Sequence, residues 1–260
     1  MTQGHEGRAD GGAQQHNYAH NPIVEAVLEL QVQFEAPPSL DALRRVHDAE
    51  LDRYPSIQDR MLLDNKIEVN DGEVSTQVDK SHIGFVGASE DGLQTFHATT
   101  TNFIFGRLAP YSDWTAFLTE ANRLWKQYSD AAHPLAVTRI GVRFINQISI
   151  PSTQIEIKDY LRTFPEISGA LPQTLTGYFM QVTVPLPEFN ASTNVTSTIS
   201  KYSEEAVSIL LDIDCYSEGF LALPESGIDL SELDITEHLH RAKNQVFEAS
   251  ITDATRRLID

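Results

Sequence analysis

The sequence predicts an α+β protein: two tandem repeats of strand-helix-strands-helix whose strands form one curved antiparallel sheet, with helices on one face. Two patterns carry this expectation. From Asn21 onward Val24, Ala26, Leu28, Leu30, Val32 and Phe34 alternate with Glu25, Glu29, Gln31 and Gln33, the period of a half-buried strand. The series then restarts after His133: Asn21-Pro22-Ile23 aligns with His133-Pro134-Leu135, and at the same offset of 112 residues Leu28 falls on Ile140 and Leu30 on Val142.

Each element has its own signal. Pro37-Pro38 ends the first strand, Ser39 can cap a helix, and Leu40, Leu43, Val46, His47, Leu51 and Tyr54 recur at helical spacing up to Tyr54-Pro55. Strands are expected near 59–70, 73–79, 82–88, 93–98 and 100–107, with turns at Asp71-Gly72 and Asp91-Gly92. Ser112 is the expected cap of a second helix, whose Trp114, Phe117, Leu118, Ala121, Leu124, Trp125 and Tyr128 form one apolar stripe; such a stripe reads as core rather than as a base-stacking platform.

The second half is expected to repeat this order. Its opening strand covers Val137 to Ile150, a helix ends at Phe164-Pro165, strands lie near 175–184, 192–200 and 206–216, and a long helix opens with Ser231 and Asp234 as a capping box. Residues 1–20 hold almost no large apolar side chain and are expected to form a disordered tail, leaving 21–130 and 131–260 as the two repeats. An amphipathic helix in each half can bury itself only against a sheet face. Two such halves joined through their first strands resemble the TATA-binding-protein-like topology, an analogy of architecture that says nothing of function.

Composition narrows the function. With 41% apolar and 22% charged residues the 260-residue chain has the make-up of an ordinary soluble globular protein. A formal net charge of −18, from 19 Lys and Arg against 37 Asp and Glu, argues against nucleic acid as a partner, because phosphate affinity rests on neutralisation by cations. No apolar run reaches membrane-spanning length, and the polar start MTQGHEGRADGG lacks the apolar stretch of a secretory signal. A cytoplasmic protein is expected. The single cysteine, Cys215, cannot form an internal disulfide, and the Asn-x-Ser/Thr triplets at Asn190 and Asn194 are expected in loops.

The most informative stretch is HPLAVTRIGVRFINQISIP, from His133 to Pro151. Alternation places Ile140, Val142, Phe144 and Ile148 toward the helices, with Asn146 as a polar exception, and leaves Arg139 and Arg143 on the open face around Gly141. In SILLDIDCY the same rule puts Asp212 and Asp214 on one face and Ile209, Leu211, Ile213 and Cys215 on the other. If the last strand of the half lies beside its first, arginines meet aspartates. One reading is a cross-strand ladder that sets register; the other is a polar surface, completed by Glu25 and Glu29, that recognises a partner or an anionic ligand, with Gly141 admitting its close approach.

Familiar catalytic signatures are missing: there is no His-Glu-x-x-His, Cys-x-x-Cys, Gly-x-Ser-x-Gly, phosphate-binding loop or dinucleotide fingerprint. Two strand carboxylates are a poor metal signal, His238 and His240 do not face each other on a helix, and an inward Cys215 reads as a small hydrophobe. No cofactor, metal or catalytic residue is expected.

Finally, NPIVEAVLEL, PYSDW, RIGVRFINQISIP, LLDID and FEASIT together resemble a sporadically distributed family of uncharacterised bacterial proteins of about this length, with Arg-Ile-Gly-x-Arg-Phe-Ile-Asn the most specific part. The resemblance implies no activity and no site residue. Its patchy distribution implies mobile or defence-associated loci and a partner encoded nearby. The expected function is therefore a non-enzymatic accessory or regulatory protein that binds another protein. A small-ligand sensor using the sheet face or a cleft between repeats, and a hydrolase without a recognisable motif, stand as alternatives, and a homo-oligomer is left open.

Overall fold

A computed structural model of the chain describes residues 18–70, 73–172, 175–203, 205–224 and 227–260. In chain order the elements are β1 (Ile23–Gln33), α1 (Leu40–Asp48), β2 (Ser56–Asn70), β3 (Glu73–Ala88), β4 (Gln94–Thr99), β5 (Asn102–Leu108), α2 (Trp114–Ala132), β6 (Ala136–Ile150), β7 (Phe179–Leu186), β8 (Ala191–Tyr202), β9 (Val207–Ala222), α3 (Asp234–Ser250) and α4 (Asp253–Ile259). The strands form one open, nine-stranded antiparallel sheet in the order β2-β3-β4-β5-β1-β6-β9-β8-β7. The fold is thus α+β.

At the centre β1 and β6 run side by side, Leu28 opposite Val142 and Leu30 opposite Ile140. β5 flanks β1, and β9 flanks β6. Alternation along these strands buries one face: Ala26, Leu28 and Leu30, Phe103 and Phe105, Val142, Phe144 and Ile148, and Ile209, Leu211 and Ile213 are all inaccessible or nearly so. Helices cover that face. On α2, Phe117 lies 5.1 Å from Phe105 and Trp125 lies 5.7 Å from Phe103; on α1, His47 stacks on Phe96 at 4.3 Å; on α3, Lys243 stands 4.0 Å over the Phe144 ring. The expected aromatic stripe of α2 is core, with Trp114, Phe117, Trp125 and Tyr128 all buried. No helix among the described residues is long and apolar enough to cross a membrane.

Local details depart from the sequence expectation. Ser39 does cap α1, accepting from the Ala42 N–H at 3.2 Å, but α2 is capped by Asp113 instead of Ser112, its carboxylate accepting from Ala116 at 2.8 Å. Ser231 does not open the long helix. It lies in a short 3-10 turn, Leu230–Glu232, capped by Asp229, and α3 starts at Asp234 without a side-chain cap. The segments expected at 73–79 and 82–88 are one strand. Gly84, at φ +150°, absorbs the irregularity, and a Cβ there would stand 2.2 Å from the Ala98 carbonyl.

The helix expected before Pro165 is absent: only the 3-10 turn Ile157–Asp159 forms. Its backbone is captured elsewhere, since Arg162 N–H donates to the Ser250 carbonyl, Thr252 N–H to that of Tyr160, and Leu161 bridges Ile251. Those bonds satisfy groups that a helix would have used. The Asp71-Gly72 turn and residues 1–17 of the expected tail lie outside the described residues. Tyr18 and His20 are packed on the C-terminal helices, the Tyr18 hydroxyl donating to Glu248 at 2.6 Å and the His20 N–H to the Ile259 carbonyl at 2.8 Å.

Candidate functional site

The uncovered face of the central strands gathers the residues that alternation assigned to it. β6 lies between β1 and β9 with Gly141 opposite Glu29 on one side and Tyr216 on the other. Arg139 does not pair with Glu218, its direct neighbour across the strand. Its side chain instead runs along β6 and lays the guanidinium over Gly141. Nη1 donates to Glu29 at 2.7 Å, Nη2 donates to Asp214 at 2.8 Å, and the Tyr216 ring centroid is 4.5 Å from the guanidinium carbon. The close approach that Gly141 permits is that of Arg139 itself.

Arg143 leans the same way. It stands opposite Asp214 in register but makes a two-pronged contact with Asp212, Nε to Oδ1 at 2.9 Å and Nη2 to Oδ2 at 2.6 Å. That hydrogen-bonded pairing holds the guanidinium pKa above its ordinary value. Burial pushes Asp214 above the usual carboxylate range despite the two arginines near it. The two cations differ in setting: the Arg139 side chain is 13% exposed and the Arg143 side chain 48%. Glu25 shares the face and adds to the field at Arg143.

Three residues of this surface carried no sequence signal that placed them on it. Asn102 donates to Glu29 at 2.9 Å, Asn194 reaches Asp214 at 3.5 Å, and Thr183 donates to Asn194 at 2.8 Å. At the other end the Thr99 hydroxyl donates to Asn102 at 2.7 Å. The result is a continuous side-chain chain, Thr99–Asn102–Glu29–Arg139–Asp214–Asn194–Thr183, one link on each of β4, β5, β1, β6, β9, β8 and β7. Asn194 thus lies in β8 and not in the loop expected for it, while Asn190 does occupy a turn, at φ 49°. Tyr216 was legible in principle, two residues beyond Asp214 on the same face.

Elsewhere, Cys215 is buried on the helix side, its thiol pushed up to about 11 by burial, and donates to Thr193 at 3.4 Å. His240 is stacked on Trp114 at 4.4 Å. Among the described residues no group of three or more His, Cys, Asp and Glu is placed to hold a metal ion. A groove of about 860 Å³ lies within the second half, not between the halves, walled by Ile155, Tyr160, Phe164, Ile199 and Tyr202, with Glu156 and Lys158 on its rim 3.8 Å apart.

Chemically, the sheet face offers paired charges and amides. Comparison with known proteins finds no matching family model, no matching curated protein and no matching solved structure.

Proposed function

We propose that this is a non-enzymatic accessory or regulatory protein that binds a protein partner through the open sheet face, centred on Arg143, Asp212 and Glu25. The observation behind the reading is the half-exposed Arg143, held in a fixed two-pronged geometry beside a rigid polar ladder while the helices occupy only the other face. A preorganised guanidinium on a rigid sheet suits recognition of a complementary surface, since little side-chain freedom is lost on binding. We further read the chain as a cytoplasmic protein of two tandem repeats, 21–130 and 131–260, in a TATA-binding-protein-like arrangement. Strand order supports this, running outward from β1 through β5 and from β6 through β9. Among the described residues no α-helix lies between β6 and β7, which departs from it. The likeness to a sporadically distributed bacterial family supports a partner encoded nearby.

The test is co-purification from the native host followed by mass spectrometry, run in parallel with Arg143→Glu and with Asp212→Arg. A protein captured by the native chain and lost from both variants supports the reading; capture unaffected by either overturns it. The groove at Tyr160 and Phe164 favours a second reading, a small-ligand sensor. A metabolite that raises the melting temperature, with the effect abolished by Phe164→Ala and untouched by Arg143→Glu, would favour the sensor.

A further inference from the structure

We propose that the free edge of β2 is a homodimer interface, in which two copies of the chain pair antiparallel about a two-fold axis through Leu62. β2 is the outermost strand. Where β2 runs from Met61 to Asn70 its partner β3 has no second neighbour, because β4 reaches only Gly84 to Ala88 of β3. This arm is a two-stranded ribbon standing beyond the rest of the sheet, and such ribbons are marginal in water by themselves. It nevertheless exposes three consecutive apolar side chains, Met61 at 44%, Leu62 at 50% and Leu63 at 56%. An apolar edge with unpaired backbone groups is a template for another strand. The opposite edge, β7, carries Pro185, which removes a ladder donor there; β2 has no proline.

The second copy is singled out by charge complementarity. Antiparallel pairing about Leu62 places Arg60 opposite Asp64, Met61 opposite Leu63, and Leu62 opposite itself, the symmetry making the ion pair occur twice. Directly opposed residues share a face, so Arg60, Leu62 and Asp64 line one side of the new ladder, with the ionic pairs flanking Leu62 against its copy, and the Met61–Leu63 pairs line the other. Moving the axis to Leu63 would set Arg60 against Lys66, and moving it to Met61 would set Arg60 against Leu62. Only the Leu62 register satisfies both charges. Within its own chain Asp64 stands opposite Asp79, a like-charged neighbour. Neither Arg60 nor Asp64 has an ion-pair partner among the described side chains. An Arg60 arriving from the second copy would set a cation beside Asp64.

The test is sedimentation of the full chain over a range of concentrations, with circular dichroism confirming that each variant is folded. The native chain is expected to be a dimer, and Leu62→Lys a monomer. Arg60→Asp and Asp64→Arg should each raise the dimer dissociation constant by about tenfold or more, since each opposes like charges twice. The double exchange Arg60→Asp with Asp64→Arg should restore the native value. Leu62→Cys should oxidise to a covalent dimer, because the axis brings that residue against its own copy, whereas buried Cys215 should not. A monomeric native chain, a dimer that survives Leu62→Lys, or a double exchange no tighter than its single variants would overturn the proposal.

Discussion

The guanidinium of Arg139 rests directly on Gly141: a Cβ at 141 would stand 2.6 Å from Nη1 and 3.1 Å from the guanidinium carbon. Gly141→Ala should therefore dislodge Arg139 from both Glu29 and Asp214, lowering stability by about 1–3 kcal/mol. In an Arg139→Gln background the same change should cost clearly less, because the crowded group is gone. Urea midpoints for the four members of this cycle measure the coupling.

The two arginines should differ in worth. Arg139 is mostly buried and links two carboxylates, so Arg139→Gln leaves Glu29 and Asp214 without their cation, with only Asn102 and Asn194 as donors, and should cost about 1–3 kcal/mol. Arg143 is half exposed, and Arg143→Gln should cost about 0.2–1 kcal/mol, a loss that shrinks in high salt. Equal costs for the two substitutions would contradict the ladder described for Arg139.

Acid should destabilise the fold through buried histidines. Burial lowers His47 to about 4 and His240 to about 3, from the ordinary 6.5. The unfolded chain then binds more protons than the folded one below pH 6.5, so the stability from keeping both rings neutral is present above 6.5 and lost as pH falls toward 4 and 3. Each contributes a slope of about 1.4 kcal/mol per pH unit within its window. His240→Gln should flatten the urea midpoint profile between pH 6.5 and 3 relative to the native chain.

Lys243 is 7% exposed, stands over the Phe144 ring, and has no carboxylate partner among the described residues. Burial lowers its pKa from 10.5 to about 8. The destabilisation is complete below pH 8 and absent above 10.5, so stability gains from this group as pH rises between those values. Lys243→Met fills similar volume without a charge and should be neutral or stabilising at pH 7, by about 0–3 kcal/mol. Its denaturation midpoint should lack the native chain's rise between pH 8 and 10.5.

Much of the central sheet was legible from period-two alternation alone. Ile140, Val142, Phe144 and Ile148 face the helices, as do Ile209, Leu211, Ile213 and Cys215, and the polar exception Asn146 is buried with them, donating to the Leu211 carbonyl at 3.0 Å. What failed was local: the cap of α2 shifted by one residue, since Asp113 and Ser112 are both competent and only the chain's path selects one. The missing helix before Pro165 failed for a tertiary reason, because bonds to residues 250–252 claim its backbone and no window of sequence contains that partner.

By itself, then, the sequence determined which residues share a face, because the side-chain period of a strand follows from backbone geometry. It placed Glu25, Glu29, Arg139, Arg143, Asp212 and Asp214 together on the open side. Tertiary structure decided which acid each arginine takes. Register sets Arg143 opposite Asp214, yet long side chains lean along the strand, so Arg143 takes Asp212 and Arg139 takes Asp214 together with Glu29. Gly141 shows the division most plainly: its position between the arginines could be read from the chain, but that the space above it is filled by Arg139 depends on Glu29 and Asp214 being held on either side, 110 and 75 residues from Arg139 in the chain.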